Sequence, residues 1–308
     1  MTDLKLVKKL RETTGCGVSD CSKALAATDN NFDEAVDWLR KKGLSSAAKK
    51  SERAATEGLI GISIQGQKAA MVEINSETDF VARNDRFQNL VKDILSVALT
   101  LDSSTDLVEN LKTQRVDGKL VTDVIADNIA TIGENIQLRR AMVMELRGQG
   151  HIVSYTHTAA AENLGKIGVL VALKSNASGE RLFELGKKIA MHVAAAKPEF
   201  LSRDVVPIEK LERERDILIE QARNSGKPDN IIEKMIEGRI KKFYEEICLL
   251  EQAFVMDEDM KVSDLLTSFR KETGEDVEIQ DYCLYVLGQG LEKKESNFAE
   301  EVAAMAKK

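Results

Sequence analysis

The sequence predicts an α+β protein whose core consists of two related subdomains with antiparallel sheets. The first observation is a repeated pattern, in which two strand-like segments joined by a turn are followed by an amphipathic helix. The second observation is that the first 50 residues and a long segment after residue 206 show helical periodicity only. Together these patterns predict helical modules attached to a core that contains the strands.

Residues 1–50 are predicted to form three short helices, because apolar residues recur there at helical spacing in three runs. Ser19 and Asn31 suit the starts of the second and third helices. The polar, small-residue segment 43–56 is typical of a linker and predicts a connection to the core. The apolar positions are Leu4, Val7, Leu10, Ala24, Leu25, Phe32, Ala35, Val36 and Leu39.

The two repeats lie in residues 51–145 and 146–206, which we predict as the N- and C-subdomains of the core. Neither two-stranded unit would be stable alone, so the two are expected to pack together. In the first, the predicted elements are strands at 59–65 and 69–75, a helix with apolar residues from Phe87 to Ala98, a helical insertion at 102–130 and a strand at 138–145. In the second, they are strands at 152–158 and 167–173 and a helix with Leu182, Leu185, Ile189, His192 and Val193 on one face.

The spacing of apolar residues in 207–250 predicts two long, charged helices that form an antiparallel, coiled-coil-like hairpin. The turn is predicted at 225–228, because a glycine suits the end of the first helix and a proline the start of the second. Residues 251–308 predict a short C-terminal module, with a strand at 282–287 and a final helix, and the elements that close the core.

The composition indicates a cytoplasmic protein. The net charge of −7 argues against electrostatic binding of nucleic acid along the whole chain. No apolar run approaches the roughly 20 residues that cross a bilayer, and the N-terminus is neither a signal peptide nor a transit peptide. The four cysteines form no CxxC pair and show no disulfide spacing, which indicates a reducing compartment.

Motifs for catalysis or nucleotide binding are absent from the sequence. The three histidines lie in no HExxH motif and near no CxxC pair, so no zinc-binding motif is present. The phosphate-binding motifs GxxxxGK[ST] and GxGxxG are absent as well. We therefore predict a binding protein with no cofactor, no metal and no nucleotide site of its own, rather than an enzyme. An enzyme that uses Asp79 and His192 as acid and base is the alternative, although nothing in the sequence places these two together.

The most informative segment is NSETDFVARND, residues 75–85, between a predicted strand and a predicted helix. Ser76, Thr78 and Asp79 all suit the N-cap of that helix. Phe80 stands among polar residues and allows two interpretations. It is either a hydrophobic staple that folds back onto its own helix or an anchor that inserts into a pocket of a partner.

Several motifs along the chain carry a family resemblance. They are LRETTGCG at 10–17 with Asp20, Cys21 and the run Lys23, Ala24 and Leu25, TDFVAR at 78–83, MHVAA at 191–195 with Lys197 and Pro198, and FVMD at 254–257. In order and spacing they cover nearly the whole chain, which resembles the bacterial elongation factor Ts family. The resemblance implies an N-terminal module like a ubiquitin-associated domain, a two-subdomain core, a protruding helical hairpin and a C-terminal module.

The resemblance implies a guanine nucleotide exchange factor that binds elongation factor Tu in its GDP-bound and nucleotide-free forms. It makes Phe80 a wedge beside the switch helix of the GTPase, where it displaces the groups that order the magnesium ion. Asp79 precedes this wedge and Val81 packs beside it, while Thr78 and Arg83 belong to the same partner-binding run.

Further contacts with elongation factor Tu are implied outside this loop. Arg11, Lys23 and Lys49 match basic positions of the N-terminal module, and the alternative is a solvated charged face. His192 matches a family histidine that contacts the nucleotide domain of the GTPase, and the alternative is a hydrogen-bonded core residue.

Val255 and Met256 match the C-terminal apolar contact, and ordinary packing within the module is the alternative. Val18 and Ser19 stand where relatives often carry two methionines, so weaker docking of the N-terminal module is expected. The role of the hairpin at 207–250 stays open. It pairs two complexes with elongation factor Tu, packs on its own core or reaches another partner.

The alternative function is a ribosome- or RNA-associated translation protein without exchange activity. Residues 1–53 motivate it, because they carry eleven basic and eight acidic side chains. The acidic total and the lack of aromatic residues interleaved with basic ones argue against it, since stacking on bases requires that pattern.

Overall fold

The structure, a computed structural model, describes residues 3–103, 106–177, 179–223 and 229–291. It is an α+β fold with antiparallel strands and a helical N-terminus, which confirms the predicted fold class. The helices are α1 (Leu4–Thr14), α2 (Val18–Ala27), α3 (Phe32–Lys50), α4 (Asp85–Ala98), α5 (Leu107–Thr113), α6 (Val121–Ile132), α7 (Gly179–Ala196), α8 (Ile208–Arg223), α9 (Asp229–Ile247) and α10 (Val262–Thr273). The strands are β1 (Glu57–Gln65), β2 (Lys68–Ser76), β3 (Arg115–Val116), β4 (Lys119–Leu120), β5 (Ile136–Glu145), β6 (Gly150–Ala161), β7 (Leu164–Ser175), β8 (Ala253–Phe254), β9 (Asp257–Lys261) and β10 (Val277–Val286).

The first three helices pack around a small apolar cluster. α1 begins after Asp3, whose carboxylate accepts a hydrogen bond from the Lys5 N–H at 2.8 Å. It ends at Gly15, whose φ of 70° is left-handed and suits glycine. α3 begins after Asn31, whose side chain accepts from the Glu34 N–H at 3.3 Å. The fully buried residues of the cluster are Leu10, Cys21, Ala24, Leu25 and Ala35.

The linker predicted at 43–56 is wrong over its first part, because α3 continues to Lys50. The second half of this helix packs against α6, in the insertion of the first repeat. A Cβ atom at Gly43 would lie 3.5 Å from the Cβ of Ala130, which is ordinary contact distance, so the two helices lie against each other at this point. Arg40 also forms an ion pair with Asp123 of α6. A distant helix therefore stabilises a segment whose own composition is that of a linker.

The two repeats are two antiparallel hairpins of one sheet. The strand order is β10-β7-β1-β2-β5, and β6 pairs with β7 as well. β1 and β7 join the repeats, where Ile60 pairs with Gly165 and Gly61 with Leu164. α4 packs on β1 and β2, and α7 packs on β6 and β7. Each predicted hairpin and its helix is thus present in the structure.

Each repeat contributes an apolar cluster of its own, and a further cluster is shared. α4, α5 and α6 cover the first cluster, while α7 and α10 cover the second. The shared cluster takes side chains from both hairpins and from β5, so burial of apolar surface holds the repeats together. Its buried members are Ile60, Ile62, Ala69, Met71, Met144, Leu146, Ile152, Leu170 and Ala172.

α8 and α9 form the predicted helical hairpin, and its base is fixed by backbone hydrogen bonds. The N–H groups of Glu199 and Phe200 both donate to the carbonyl of Ile247, at 2.9 and 3.0 Å. The turn predicted at 225–228 lies outside the described residues, and so does the final helix predicted after the strand at 282–287. Apolar contacts between the two helices involve Ile219, Ile232, Ile236 and Ile240.

The strand predicted at 282–287 begins earlier and belongs to the main sheet. β10 pairs along β7, from Val277 with Ser175 to Val286 with Ile167. A register shift between Ile279 and Asp281 interrupts the alternation of side chains, which is the signal that sequence analysis uses. The C-terminal part of the chain therefore closes the core of the second repeat.

A buried carboxylate ties the end of β10 to the first repeat. Glu73 of β2 is fully buried, and Arg139 donates to its two oxygens at 3.0 and 3.1 Å. Arg140 donates to it at 2.5 Å, and the N–H of Gly288 at 2.9 Å. Burial opposes ionisation, but Gly288 and Arg140 outweigh it and hold the pKa of Glu73 below its usual value.

Candidate functional site

The loop after β2 positions the segment that the sequence singles out. α4 begins at Asp85, and its N-cap is Asn84, whose side chain accepts from the N–H groups of Arg86 and Phe87 at 2.9 and 3.4 Å. The prediction that Ser76, Thr78 or Asp79 caps this helix is therefore wrong. A separate 3₁₀ turn, Val81–Arg83, lies between those residues and the helix.

Two of these candidate caps, Ser76 and Thr78, form hydrogen bonds that hold the loop instead. Ser76 donates its hydroxyl to the carbonyl of Thr78 at 3.0 Å. The N–H and the hydroxyl of Thr78 both donate to the carboxylate of Glu134, at 2.9 and 2.6 Å. Beside them, Glu77 accepts from the N–H of Asn135 at 2.6 Å. The connection between α6 and β5 therefore clamps the start of the loop, and charge-assisted bonds of this kind are the stronger ones.

Glu134 is a site residue that sequence reasoning missed. It follows Gly133, which ends α6 with a left-handed φ of 92°. An acidic residue after a helix-ending glycine has no local feature that marks it as a ligand for Thr78, which lies 56 residues earlier. The pair is visible only once the fold brings β2 and the end of α6 together.

The loop presents Phe80 to solvent. Its side chain is 78% exposed, so the staple interpretation is wrong. The next two residues, Val81 and Ala82, are buried in the apolar cluster of the first repeat. Asp79 and Arg83, which flank this run, are exposed. The structure thus brings together a large exposed aromatic side chain, two charged neighbours and a buried anchor directly after it.

A second predicted group lies where α7 meets the β8–β9 hairpin. His192 is fully buried, and its Nε2 lies 3.0 Å from Oε1 of Gln252. Its Nδ1 accepts from the backbone N–H of Val255 at 3.2 Å. Burial lowers the pKa of His192 below its usual value, although the contact with Gln252 acts in the opposite direction. His192 is a hydrogen-bonded core residue here and supports the backbone of a residue at the surface.

Val255 and Met256 form the exposed tip of that hairpin. Their side chains are 42% and 48% exposed, although both are apolar. The preceding Phe254 is buried and packs near the His192 ring, with 5.8 Å between ring centroids. The tip is therefore an exposed apolar pair on a supported backbone, which is a frequent feature of protein-binding surfaces.

The N-terminal candidates lie on the three-helix module. Arg11, Lys23 and Lys49 are exposed on α1, α2 and α3 respectively. The turn after α1 lies against α4, because a Cβ atom at Gly15 would lie 2.1 Å from the guanidinium of Arg86. The module therefore lies next to the helix that follows the Phe80 loop. Val18 and Ser19, at the start of α2, are exposed as well.

The alternative of an acid–base enzyme finds no support in the geometry. Both ring nitrogens of His192 are engaged, by Gln252 and Val255, while Asp79 is exposed in the loop. Within the described ranges, no cluster of three histidine, cysteine or acidic side chains could hold a metal ion. The same part of the chain contains no helix with the length and hydropathy that a membrane span requires.

Comparison with known proteins identifies the family. A family model described as "Elongation factor TS" matches residues 77–289, from the clamped loop to the end of the sheet. The chain belongs to the elongation factor Ts family. The family resemblance predicted from the motifs is thus confirmed.

Whole-length relatives agree with this family. The chain is 54% identical to elongation factor Ts of Paramagnetospirillum magneticum, over 98% of this chain and 96% of the relative. It is 52% identical to elongation factor Ts of Sinorhizobium medicae and 51% identical to that of Rhodospirillum rubrum, each over 98% of both chains. Membership in the elongation factor Ts family implies a nucleotide exchange factor for elongation factor Tu in protein biosynthesis.

Proposed function

We propose that this chain binds GDP-loaded elongation factor Tu and promotes release of GDP by protein contact alone, without a nucleotide site or cofactor of its own. The observation that carries the proposal is the exposure of Phe80 on a loop whose two ends are fixed. An aromatic side chain exposed in this way is unfavourable in water and becomes favourable once a partner's pocket buries it.

The construction of the loop supports insertion into a partner. Glu134 fixes the backbone before Phe80, and the buried Val81 fixes the backbone after it. Because the loop is already ordered, little conformational entropy is lost when the ring enters a pocket. Asp79 and Arg83 flank the ring with charges of opposite sign and orient its approach.

The wedge acts on nucleotide indirectly. A translational GTPase holds GDP through its phosphate loop and a magnesium ion, and its switch regions depend on these contacts. Phe80 inserted beside the switch helix displaces the groups that order the magnesium ion, so GDP dissociates faster. Binding free energies are reciprocal, so the chain binds the nucleotide-free form of elongation factor Tu more tightly than the GDP form.

Two other surfaces complete the proposed contact. Val255 and Met256 supply an exposed apolar pair at the β8–β9 tip, and His192 acts through the backbone beneath them. Arg11 and Lys23, with Lys49, supply positive charge on the N-terminal helices, which steers association more than it adds affinity.

The test is the release of fluorescent GDP from elongation factor Tu of the same organism, measured with and without this protein. We expect acceleration at substoichiometric amounts of the protein, because one molecule serves many GTPase molecules in turn. An absence of acceleration with folded protein would overturn the proposal. Binding without acceleration would leave a translation protein that does not exchange nucleotide.

The clamp on the loop gives a graded prediction. Glu134→Gln keeps the side-chain size but removes the charge, so the two charge-assisted bonds to Thr78 are replaced by weaker neutral ones. We expect the concentration of this protein that half-saturates GDP release to rise about three- to tenfold, the equivalent of one lost hydrogen bond. The maximal rate should be unchanged, because Phe80 is still present.

The matched control is Glu109→Gln on the exposed face of α5, where Glu109 pairs with Lys112 at 2.6 Å. It makes the same chemical change outside the loop, and exposed pairs of this kind contribute little. If the two variants have the same half-saturating concentration, the clamp does not order Phe80 for binding.

A further inference from the structure

A chain of hydrogen bonds leads from the helical hairpin to the exposed tip at Val255. Gln252 is buried at the start of this chain, and its Nε2 donates to the carbonyl of Glu246 at 2.7 Å. The same nitrogen lies 3.5 Å from the carbonyl of Ala196. These carbonyls belong to the last turns of α9 and α7, and carbonyl oxygens only accept hydrogen bonds. The two helix ends therefore fix which way the Gln252 amide faces, with its oxygen towards His192.

The orientation of that amide decides where the proton of His192 lies. Oε1 of Gln252 accepts only, so the Nε2 that faces it at 3.0 Å must carry the hydrogen. In a neutral ring this leaves a lone pair on Nδ1, which accepts from the N–H of Val255 at 3.2 Å. The other tautomer would oppose two N–H groups at Val255 and two acceptors at Gln252. Burial of the ring, which lowers the pKa of His192, favours the neutral form.

The tip needs this support because of its sequence. Phe254 pairs with Asp257, so Val255 and Met256 are the two turn residues of the β8–β9 hairpin. Two-residue hairpin turns favour asparagine and glycine at positive φ, because that backbone matches the strand twist. Here both residues are apolar, Val255 is β-branched and neither has a positive φ. The hydrogen bond from Val255 to His192 holds a turn that its own residues do not favour.

We propose that Gln252 is a positioning residue, which fixes the Nε2–H tautomer of His192 and thereby the Val255–Met256 tip for contact with elongation factor Tu. The inference rests on the proposed function for what the tip does. The tautomer and the order of the tip are properties of the free protein. Because the Gln252 amide also donates to the end of α9, the base of the helical hairpin helps to fix the position of the tip.

The first experiment leaves Gln252 and the tip unchanged. Long-range ¹H–¹⁵N NMR spectra report which ring nitrogen of His192 is protonated. Variants at His151 and His157 identify the signals of those two rings, so that the remaining signal is assigned to His192. We expect a neutral ring with hydrogen on Nε2. Hydrogen on Nδ1, or a mixture of the two tautomers, would overturn the proposal whatever the exchange assay gives.

The second experiment changes the amide. Gln252→Glu removes the donor to Glu246 and places a carboxylate against Nε2, which favours a doubly protonated ring whose Nδ1–H opposes Val255. We expect a charged ring signal and about tenfold less protection of the Val255 amide from hydrogen exchange. We also expect the half-saturating concentration for GDP release to rise about fivefold at an unchanged maximal rate. If the glutamate variant does not fold, Gln252→Met is used instead. Its thioether donates no hydrogen bond and accepts only weakly, so we expect a mixture of the two tautomers and the same loss of Val255 protection.

The control is Gln65→Glu at the exposed end of β1, which adds the same charge away from the tip. An unchanged ring and unchanged Val255 protection in the Gln252 variants would overturn the proposal. A changed protonation of the ring with a normal half-saturating concentration for GDP release would also overturn it. The tip would then not need Gln252 to bind elongation factor Tu. If wild-type protein fails to accelerate GDP release, the proposed function fails, and the NMR results still decide whether Gln252 orders the tip.

Discussion

Phe80→Ala is expected to slow GDP release from elongation factor Tu about tenfold or more at subsaturating protein, as for a central aromatic residue of an interface. The ring is 78% exposed, so its removal opens no cavity and the thermal unfolding curve should not change. The whole loss then falls on contact with the partner. The measurement is the rate of fluorescent GDP release as a function of protein concentration.

Phe183→Ala is the matched control for this prediction. Phe183 lies on α7, is 47% exposed and has the ammonium of Lys187 at 5.5 Å from its ring centroid. It is the same substitution of an exposed phenylalanine outside the candidate site, and GDP release should stay at the wild-type rate. Equal rates for Phe80→Ala and wild type would show that Phe80 is not the wedge.

Glu73→Ala is expected to lower the free energy of unfolding by about 3–5 kcal/mol, the usual effect of removing one partner from a buried ionic group. The variant leaves Arg139 and Arg140 without their shared carboxylate and the N–H of Gly288 without its acceptor. The measurement is urea unfolding followed by circular dichroism, because Trp38, the single tryptophan, reports on α3 rather than on the sheet.

Glu145→Ala is the control on the same sheet. Glu145 of β5 pairs with Lys68 at 3.1 Å at a half-exposed position, so its loss should lower the free energy of unfolding by less than about 1 kcal/mol. A similar effect of both variants would contradict the conclusion that the buried Glu73 carboxylate ties the end of β10 to the first repeat.

The pH dependence of stability has a defined sign. Because the pKa of Glu73 is held below its usual value, its contribution is complete above the unfolded carboxyl pKa of about 4.3. It is lost as the pH falls through the lower value of the folded state. The stability difference between wild type and Glu73→Ala should therefore be constant from about pH 6 upwards and shrink below about pH 4.

Elements with a strong local signal were predictable from the sequence. The short apolar runs of β1 and β2 and the apolar stripes of α4 and α7 are properties of short segments, and the structure contains all four. The second half of α3 was not predictable in this way, because its small and polar residues are typical of a linker and its contact with α6 is not visible in the local sequence. The start of α4 was missed for a related reason. The Thr78 hydroxyl donates to Glu134 instead of capping the helix, and Glu134 is distant in sequence.

The same distinction applies to the candidate site, where local patterns predict some features and distant contacts decide the others. The apolar periodicity of α7 already places His192 beside Ile189 and Val193, and all three are buried. Its partner Gln252 lies 60 residues away and shares no pattern with it. For Phe80, the sequence left a staple and an exposed anchor as alternatives, because the choice depends on how Glu134 holds the loop.

The tie between Glu73 and Gly288 also has a consequence for how the chain is made. The two residues are 215 positions apart, so at ribosomal speeds of roughly 5–20 residues per second they emerge on the order of 10–40 seconds apart. During that interval β2 can pair with β5, but its buried carboxylate has no N–H from the C-terminal end. The first hairpin of a nascent chain thus reaches its full stability only after Gly288 has left the ribosome. Nascent chains that end before Gly288 should therefore be cleaved by proteases more readily than chains that include it.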